Sequence, residues 1–420
     1  MKPLVLLTSG TRGDVQPVIA LGLGLQQSGL PVRLAAPPAF RVWIESYNLP
    51  FAPVEGNPSD LLTRPGGQFA LAFDGNPLRS LRASFAYIAE ARPIYEKMLE
   101  SAWLACHNAR TLLIGLPTTW GIHIAEALGI PCLGAFLQPV TPTRAFPAPL
   151  FPFTFSLGKA YNRWTYLAAG LATWLPWREI INRFRSRTLC LPPLNWHGPR
   201  PLPFGRLNAL LYGFSPRLVP PPADWPPSVH VTGFWTPPLQ PFSPSPGLEN
   251  FLGSGPRPIY MGFGSPGVHN PPETFALLLK AVEMAGIRAV IALPGASPKI
   301  QSGNVHVLQE TIPHDWLFPR LAGVVHHGGV GTTAAGLLAG QPSLLVPLGI
   351  DQFFWGRRVR ELGLGPAPIP RRKLTASRLA AALHDLTNDN ETQKRAQTFG
   401  QSLRKENGVI QAAELLRQFA

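Results

Sequence analysis

The sequence predicts an α/β protein of two Rossmann-like domains whose parallel sheets face a cleft between them. Short apolar runs alternate with helical patterns in the first third of the chain, and the same alternation returns in the second half. A proline-dense region at about 216–258 separates the two halves. The 420 residues suffice for two domains of ordinary size. Ligands of such sheets bind at the carboxyl ends of the strands, so we expect the site there.

In the first third, PLVLLTS is a strand candidate, followed by the helical pattern VIALGLGLQQ, which ends at Ser28 and Gly29. LPVRLAA predicts a second strand and FRVWIESYN a second helix. Further along, the strand candidates TLLIGL and IPCLGAF flank the helical segment WGIHIAEALG. This order is typical of a parallel sheet covered on both faces.

The second half shows the same alternation more regularly. The predicted strands are PIYMGFGS, IRAVIAL, VHVLQE, LAGVVHHGG and SLLVPL, and the predicted helices are ETFALLLKAVEMAG, TTAAGLLAGQ and DQFFWGRRVRELG. We therefore expect an N-terminal domain at 1–235, a proline-rich linker at 236–257, a C-terminal domain at 258–400 and a C-terminal helix at 401–420. Whether that last helix packs back on the N-terminal domain stays open.

A segment at about 144–203 departs from the alternation because it is rich in aromatic and basic residues. Its part LPWREIINRFRSR fits a helix that lies at a membrane interface. It equally fits an ordinary helical insertion whose aromatic residues are core. The residues that carry both alternatives are Arg178, Arg183, Arg185 and Arg187 with Ile180, Ile181 and Phe184.

Charge and composition limit the partners. Lysine and arginine exceed aspartate and glutamate by 37 to 23, a net charge of +14, which favours anionic partners. No basic stripe with interleaved aromatic residues recurs, so nucleic acid is not expected, and membrane and phosphate remain. The uncharged apolar run near the middle of the chain, 164–177, is shorter than the roughly 20 residues that span a bilayer. With no secretory signal and three scattered cysteines, we expect a cytoplasmic protein, soluble or peripheral at a membrane surface.

The strongest motif is VVHHGGVGTTAAGLLAGQPSLLVPLGIDQFFWG. A strand ends at His326 and His327, glycines follow, and a helix opens at 331–333, where unpaired N–H groups and the positive dipole end suit a phosphate. Asp351 and Gln352 follow the next strand and suit sugar hydroxyls. Taken singly, each feature also fits a turn or a helix cap. Together, after consecutive strands, they favour a ligand site.

The segments HHGGVGTTAAGLLAG, DQFFWG, TIPHDWLFPRLAGVV and TSGTRGDVQPVIALGLGL resemble family 1 glycosyltransferases of the GT-B fold. Within that family the chain is similar to the sterol 3-beta-glucosyltransferase and UDP-glucuronosyl/UDP-glucosyltransferase group. Antibiotic transferases of the vancomycin type are nearer relatives than plant enzymes. The resemblance is weakest at about 144–258.

The resemblance implies that His327 and the N–H groups of the following helix contact a donor diphosphate, and that Asp351 and Gln352 hold hexose hydroxyls. Ala335 stands where plant relatives have a ribose-binding glutamate, so nucleobase preference stays open. Trp316 fits a base-stacking platform or an aromatic that packs a short helix. The implied donor residues are Gly264, Ser265, Thr311, Ile312, His327, Gly328, Gly329, Gly331, Thr332, Thr333, Asp351 and Gln352.

Asp14, in the first strand-to-helix loop, is the candidate base that removes the acceptor proton. Its alternative role is to cap a helix that begins near Val15. Arg12 pairs with Asp14, holds the loop or faces the diphosphate, and the sequence does not decide. His123 lies in a helical pattern and is not assigned to catalysis.

We therefore expect an inverting transferase that moves a hexose, glucose from UDP-glucose, to the hydroxyl of a sterol or other lipid alcohol. No Asp-x-Asp occurs and no histidines cluster with other ligands, so neither a metal nor a cofactor is expected beyond the UDP-sugar co-substrate. Contact with an anionic membrane fits the basic, aromatic composition. Two alternatives stay open: a natural-product transferase using TDP- or UDP-sugars, and a non-catalytic nucleotide-sugar or lipid-binding protein.

Overall fold

The computed structural model describes residues 2–57, 60–61, 77–151, 155–199, 207–264, 271–293, 303–349 and 351–419, with backbone alone at 77–81 and 83–84. The chain forms two compact units. The first unit consists of the described residues in 2–61, 78–237 and 407–419, and the second consists mainly of 238–406.

Among the described residues, the first unit is built on seven parallel strands in the order β3-β2-β1-β4-β5-β6-β7. The central strand β1 is buried throughout, as expected for a strand covered on both faces. The strands are β1 (Leu4–Leu7), β2 (Val32–Ala36), β3 (Phe51–Pro53), β4 (Thr111–Ile114), β5 (Cys132–Phe136), β6 (Ala209–Tyr212) and β7 (Val229–Val231).

The helices between these strands are α1 (Arg12–Gln27), α2 (Arg41–Glu45), α3 (Pro77–Cys106), α4 (Gly121–Leu128), α5 (Lys159–Trp174) and α6 (Arg178–Arg187), with short 3₁₀ helices at Pro38–Phe40 and Leu116–Thr118. The helices α5 and α6 occupy the aromatic and basic segment. Ile180, Ile181, Phe184 and Arg185 of α6 are buried. The apolar face of α6 is therefore packed inside the protein, which favours the alternative of an ordinary helical insertion over a helix at a membrane interface.

The second unit contains a five-stranded parallel sheet among its described residues, in the order β10-β9-β8-β11-β12. Alternate residues of β8 enter two clusters, Met261 with Phe275 and Leu383 on one face, and Tyr260 with Phe318 on the other. The elements are α7 (Pro246–Gly253), β8 (Ile259–Gly262), α8 (Pro271–Ala285), β9 (Ala289–Ala292), β10 (Val305–Val307), α9 (His314–Leu317), β11 (Gly323–His326), α10 (Val330–Leu338), β12 (Ser343–Leu345), α11 (Gln352–Glu361), α12 (Ala376–Asn388) and α13 (Asn390–Leu403), with 3₁₀ helices at Phe318–Arg320 and Arg371–Lys373.

Every strand predicted above is present, but three features differ from expectation. The short strands β3, β6 and β7 and the long helix α3 carry no pattern that we recognised. The helix α7 lies within the expected linker, and its Leu248 is fully buried in the core of the second unit. The expected C-terminal helix is α14 (Gly408–Arg417), which belongs to the first unit but starts later than residue 401, because α13 extends to Leu403.

The helix α14 packs on α1: a Cβ added to Gly24 would come within 2.4 Å of Val409. Within the ranges described above, no helix combines the length and apolarity that crossing a membrane requires.

Candidate active site

In each sheet the strand order reverses beside the first strand of the unit, between β1 and β4 and again between β8 and β11. We call this place in each sheet its switch point. Ligands of open α/β sheets bind there, at the carboxyl ends of the strands. Asp14 follows β1, and His327 follows β11. The two main predicted site residues thus lie where the topology favours binding, each within its own unit.

Asp14 is the third residue of α1 and its carboxylate reaches back over the start of the helix. The backbone N–H and the hydroxyl of Thr11 both donate to Asp14 Oδ2, at 2.7 and 3.0 Å. This is the acidic half of a capping box, with Thr11 at the N-cap. The expectation that Asp14 caps a helix beginning near Val15 is therefore wrong in detail. The helix begins at Arg12, and its own first turn orients the carboxylate.

The loop before Asp14 needs glycine at position 10. Gly10 has a φ of +110°, and a Cβ there would lie 2.4 Å from Asp14 Oδ2. Its carbonyl accepts a hydrogen bond from the buried Asn57 side chain at 2.8 Å. The position of the carboxylate thus depends on a backbone conformation that only glycine adopts readily.

Among the described residues, no hydrogen bond or ion pair joins Arg12 to Asp14. Its guanidinium lies over the ring of Trp43, 4.6 Å from the ring centroid. Among the three roles left open for Arg12, this contact favours holding the loop.

A shallow pocket lies beside Asp14 at the carboxyl ends of β1, β4 and β5. Thr8, Leu116, Pro117 and Gln138 line it together with Asp14. The pocket therefore brings a carboxylate, an amide and an apolar wall to the switch point of the first sheet.

In the second unit, His327 is enclosed by glycines. A Cβ on Gly264 would lie 3.2 Å from His327 Cε1, and one on Gly329 would lie 2.6 Å from Nε2. Burial lowers the pKa of His327 to about 4, so the imidazole is neutral at pH 7. Its Nδ1 is buried and has no hydrogen-bond partner among the described residues. A neutral ring with an unused nitrogen in a glycine cradle is well suited to a hydrogen bond with a ligand oxygen.

His326 shapes the loop that carries His327. It is fully buried, and its Nδ1 accepts a hydrogen bond from the Gly328 N–H at 3.0 Å. Burial holds the pKa of His326 well below its usual range. Gly328 has a φ of +96° and its Cα lies against Gln352, which places that side chain at the loop.

The helix α10 begins at Val330, so the N–H groups of Gly331 and Thr332 have no intrahelical partner and remain for a ligand. Thr333 differs, because its N–H and its hydroxyl each donate to the Gly329 carbonyl at 3.0 Å. The expectation that Thr333 offers its N–H to a phosphate is therefore wrong. Its side chain instead fixes the first turn of the helix.

Asp351 and Gln352 lie at the start of α11 and both already have partners. Asp351 Oδ2 accepts from the indole N–H of the buried Trp355 at 2.9 Å, and Gln352 Oε1 accepts from the Leu348 N–H at 2.8 Å. These bonds fix the orientation of both side chains beside Gly328. Their role toward hexose hydroxyls stays a prediction.

Two of the implied donor residues, Thr311 and Ile312, differ in exposure. Thr311 is exposed, whereas Ile312 is buried in the core cluster that contains Phe318, so only its backbone is available to a ligand. Trp316 packs edge-on against Phe242, with centroids 5.1 Å apart, which favours the packing role over a stacking platform. Ser265 lies outside the described residues.

A second pocket of the first unit has aromatic walls. Tyr95, Trp120, Trp174 and Trp177 line it. The indole Nε1 atoms of Trp120 and Trp174 are buried and have no hydrogen-bond partner among the described residues. The two pockets are lined by neighbouring parts of the chain, since Pro117 lines the pocket beside Asp14 and Thr119 lines the aromatic one.

His123 borders the aromatic pocket and belongs to an ionic group in which His123 and Arg185 are buried and Glu126 is exposed. Arg185 Nη1 lies 2.9 Å from His123 Nδ1 and 2.6 Å from Glu126 Oε2. Hydrogen bonds from His123 and Arg185 lower the pKa of Glu126 to about 2. This arrangement supports a structural role for His123, which agrees with leaving it out of catalysis.

Two family models match the chain. Residues 4–147, which include Asp14, match the glycosyltransferase family 28 N-terminal domain. Residues 283–408, which include His327, match the erythromycin biosynthesis protein CIII-like C-terminal domain. The chain is also 36% identical, over 98% of its length, to the sterol 3-beta-glucosyltransferase of Yarrowia lipolytica. The chain is thus similar to glycosyltransferases over nearly its whole length.

The chain is also 35% identical, again over 98% of its own length, to the sterol 3-beta-glucosyltransferase of Emericella nidulans. The chain spans 28% of the length of the Yarrowia protein and 30% of the Emericella protein. The similarity to both thus concerns one region of much longer proteins, and it confirms the predicted resemblance.

Solved structures confirm the GT-B fold of the chain. The glycosyltransferase of kitacinnamycin matches with a TM-score of 0.70 at 17% identity and full coverage of both chains. SsfS6 from Streptomyces sp. SF2575, complexed with thymidine diphosphate, matches with a TM-score of 0.63 at 18% identity, again with full coverage of both. At these identities the likeness concerns the fold alone.

Several residues that shape the candidate site were not predicted from the sequence. Asn57 binds the Gly10 carbonyl from 47 positions away, and Tyr95 reaches the aromatic pocket from α3. No local pattern marks either residue. His326 was visible in the motif, but its bond to Gly328 depends on the loop conformation.

Proposed function

We propose that the chain catalyses transfer of glucose from UDP-glucose to the hydroxyl of a sterol or a similar lipid alcohol, with inversion and without a metal. The proposal depends on one observation above all. The two sheet switch points carry an oriented carboxylate in one unit and a neutral, glycine-enclosed histidine beside a helix start in the other. These are the groups that a glycosyl transfer needs for proton removal and for leaving-group stabilisation.

In the proposed reaction, Asp14 removes the proton of the acceptor hydroxyl while that oxygen attacks the anomeric carbon. The bond from this carbon to the diphosphate breaks with its electron pair going to the departing oxygen, and attack from the opposite face inverts the configuration. His327 and the N–H groups of Gly331 and Thr332 stabilise the negative charge that develops on the diphosphate. Asp351 and Gln352 hold the hexose.

The aromatic pocket supports a lipophilic acceptor. Its walls of Tyr95, Trp120, Trp174 and Trp177 suit a flat apolar body. The fungal relatives at about a third identity are named sterol 3-beta-glucosyltransferases, which favours a sterol. Because such acceptors reside in bilayers, we place the reaction at the cytoplasmic surface of a membrane.

The test is to incubate the protein with radiolabelled UDP-glucose and with sterol in detergent micelles, and to follow label in the organic phase. We expect a labelled steryl glucoside whose formation survives a chelator. Absence of product with sterols and other lipid alcohols, while UDP still binds, would contradict the proposal. Loss of activity on chelation that added metal restores would contradict its metal-free form.

A natural-product transferase is the second candidate, favoured by the erythromycin-type match of residues 283–408. A panel of UDP- and TDP-sugars with lipid and soluble aglycones separates the two. Preference for a TDP-sugar and a soluble polyketide or peptide aglycone would favour this alternative. If no donor and acceptor pair gives product although nucleotide sugar binds, the non-catalytic alternative gains support.

A further inference from the structure

The helix α5 and the stretch before it carry large apolar side chains that are exposed in the described part of the chain. Trp164, Leu167 and Leu175 follow one another at the spacing of one helix face, with the half-buried Leu171 between them. Phe155 and Leu157 lie in the exposed stretch just before the helix. The exposed fractions of Phe155, Leu157, Trp164, Leu167 and Leu175 lie between 48% and 72%. We call these five residues the α5 face.

Aromatic contacts join the start of the α5 face into one surface. The rings of Phe155 and Tyr161 stack with centroids 5.9 Å apart, and Phe151 meets Trp164 edge-on at 5.7 Å. From Trp164 to Leu175 the helix adds a stripe about 17 Å long, at 1.5 Å per residue. An exposed apolar surface of this kind marks a contact site rather than scattered exposed residues.

The charges on the chain segment that carries this surface have one sign. The sequence contains no aspartate or glutamate between Glu126 and Glu179, whereas Lys159 and Arg163 lie one turn apart on α5 and are both exposed. Their flexible stems let the charged ends reach phosphate groups while the neighbouring apolar side chains are buried. Tryptophan and tyrosine are also the residues that favour the boundary between hydrocarbon and water.

We propose that the α5 face docks on the surface of an anionic phospholipid bilayer, with Trp164, Leu167 and Leu175 inserted below the headgroups and Lys159 and Arg163 bound to lipid phosphates. The helix lies in the plane of the interface, as basic amphipathic helices do. The reason for the contact rests on the proposed function, since a lipid acceptor is taken from a bilayer. The contact itself requires no turnover.

The experiment measures flotation of the full chain with vesicles of phosphatidylcholine alone and with 30% phosphatidylserine added. We expect binding to the anionic vesicles that weakens at high salt. Leu167→Glu and Trp164→Glu should each lower the bound fraction roughly tenfold or more, because each removes inserted apolar surface. Arg163→Gln should lower the partition coefficient roughly fivefold.

Val42→Glu is the matched control, because Val42 is 81% exposed in a different helix and receives the same charge. It should bind like the wild type, and unchanged thermal unfolding of all variants shows that they fold. No binding to anionic vesicles, equal binding to neutral ones, or undiminished binding of Leu167→Glu would each overturn the proposal. A wild-type dimer that Leu167→Glu converts to monomer would overturn it in favour of a second copy.

Glucosyl transfer to sterol in detergent micelles is measured as well, because it tests the proposed function without requiring the protein to bind a vesicle. Leu167→Glu should retain wild-type transfer in micelles while losing vesicle binding. If the wild type transfers in micelles but does not bind vesicles, the docking proposal is wrong and the proposed function stands. If the wild type binds vesicles through the α5 face but transfers no glucose, the docking proposal stands and the proposed function is wrong.

Discussion

The two switch points of the molecule have the same position in their sheets but opposite chemistry. Beside β1, the helix start is occupied by the chain's own carboxylate, Asp14, which Thr11 holds through two hydrogen bonds. Beside β11, the helix start carries no acidic side chain in its first turn, and glycines surround the neutral ring of His327. A helix start that is filled by its own anion is suited to take a proton from a ligand. One that is left open is suited to receive an anion.

The largest effect on activity is expected from removing the carboxylate of Asp14. Asp14→Asn should lower kcat by roughly 100- to 10,000-fold, the usual contribution of a general base. Asparagine retains an oxygen that accepts the two bonds from Thr11, so the thermal unfolding midpoint and UDP affinity should hardly change. Steady-state kinetics and calorimetric UDP titration check both parts. Turnover within threefold of wild type would remove Asp14 from the base role.

On the other side, filling the glycine cradle should weaken donor binding. Gly329→Ala places a Cβ 2.6 Å from His327 Nε2 and forces the ring to move. We expect roughly tenfold weaker UDP binding, as for overpacking worth about 1–3 kcal/mol. Gly303→Ala is the control, because nothing lies within 4 Å of its added Cβ. Equal UDP affinity in the two variants would show that the cradle does not position His327 for the donor.

The neutral state of His327 should also appear in the acid stability. Its pKa is lowered to about 4 in the folded protein, against about 6.5 when unfolded, so the unfolded state binds more protons between these values. The folded state therefore loses stability as pH falls from about 6.5 to 4, by up to about 3 kcal/mol from this residue. Urea unfolding at pH 7 and 4.5 should show a smaller loss for His327→Gln than for wild type. An identical loss in both would contradict the lowered pKa.

The smallest effect is expected at Arg12. Arg12→Gln removes the contact with Trp43 and should lower the free energy of unfolding by about 0.5–1 kcal/mol. UDP affinity and kcat should stay within about twofold, since the contact holds the loop from outside. Trp43→Leu should have a similar effect on stability, and the double variant should lose less than the sum. A tenfold loss of UDP affinity in Arg12→Gln would instead assign Arg12 to the diphosphate.

The strands and the phosphate loop were predictable because their signals are local. Runs such as PLVLLTS and LAGVVHHGG are long enough and apolar enough to define a buried strand, and HHGGVGTT places glycines and a helix start in one segment. The short strands β3 and β7 were not predictable, since three residues each carry too little pattern. Their place is set by pairing with β2 and β6.

The aromatic segment shows what composition leaves open. Both α5 and α6 are amphipathic and basic, and the sequence fitted α6 equally to a membrane interface and to a packed insertion. Packing decides between them, because Ile181 and Phe184 of α6 are buried, whereas Trp164 and Leu167 of α5 are exposed. Only the neighbours that cover a face determine which of two similar helices remains free. The capping role of Asp14 was expected, but the helix start was placed too late, because α1 begins one turn earlier than its apolar pattern indicates.

The most direct test of the division between the two switch points is a crossed measurement on Asp14→Asn and His327→Gln. UDP affinity and the maximal rate of glucosyl transfer are measured for both variants under the same conditions. The account predicts that Asp14→Asn keeps wild-type UDP affinity and loses at least 100-fold in rate, while His327→Gln loses roughly tenfold or more in UDP affinity. If Asp14→Asn loses UDP affinity and keeps its rate, or if His327→Gln binds UDP like wild type, the assignment of base and phosphate roles is wrong.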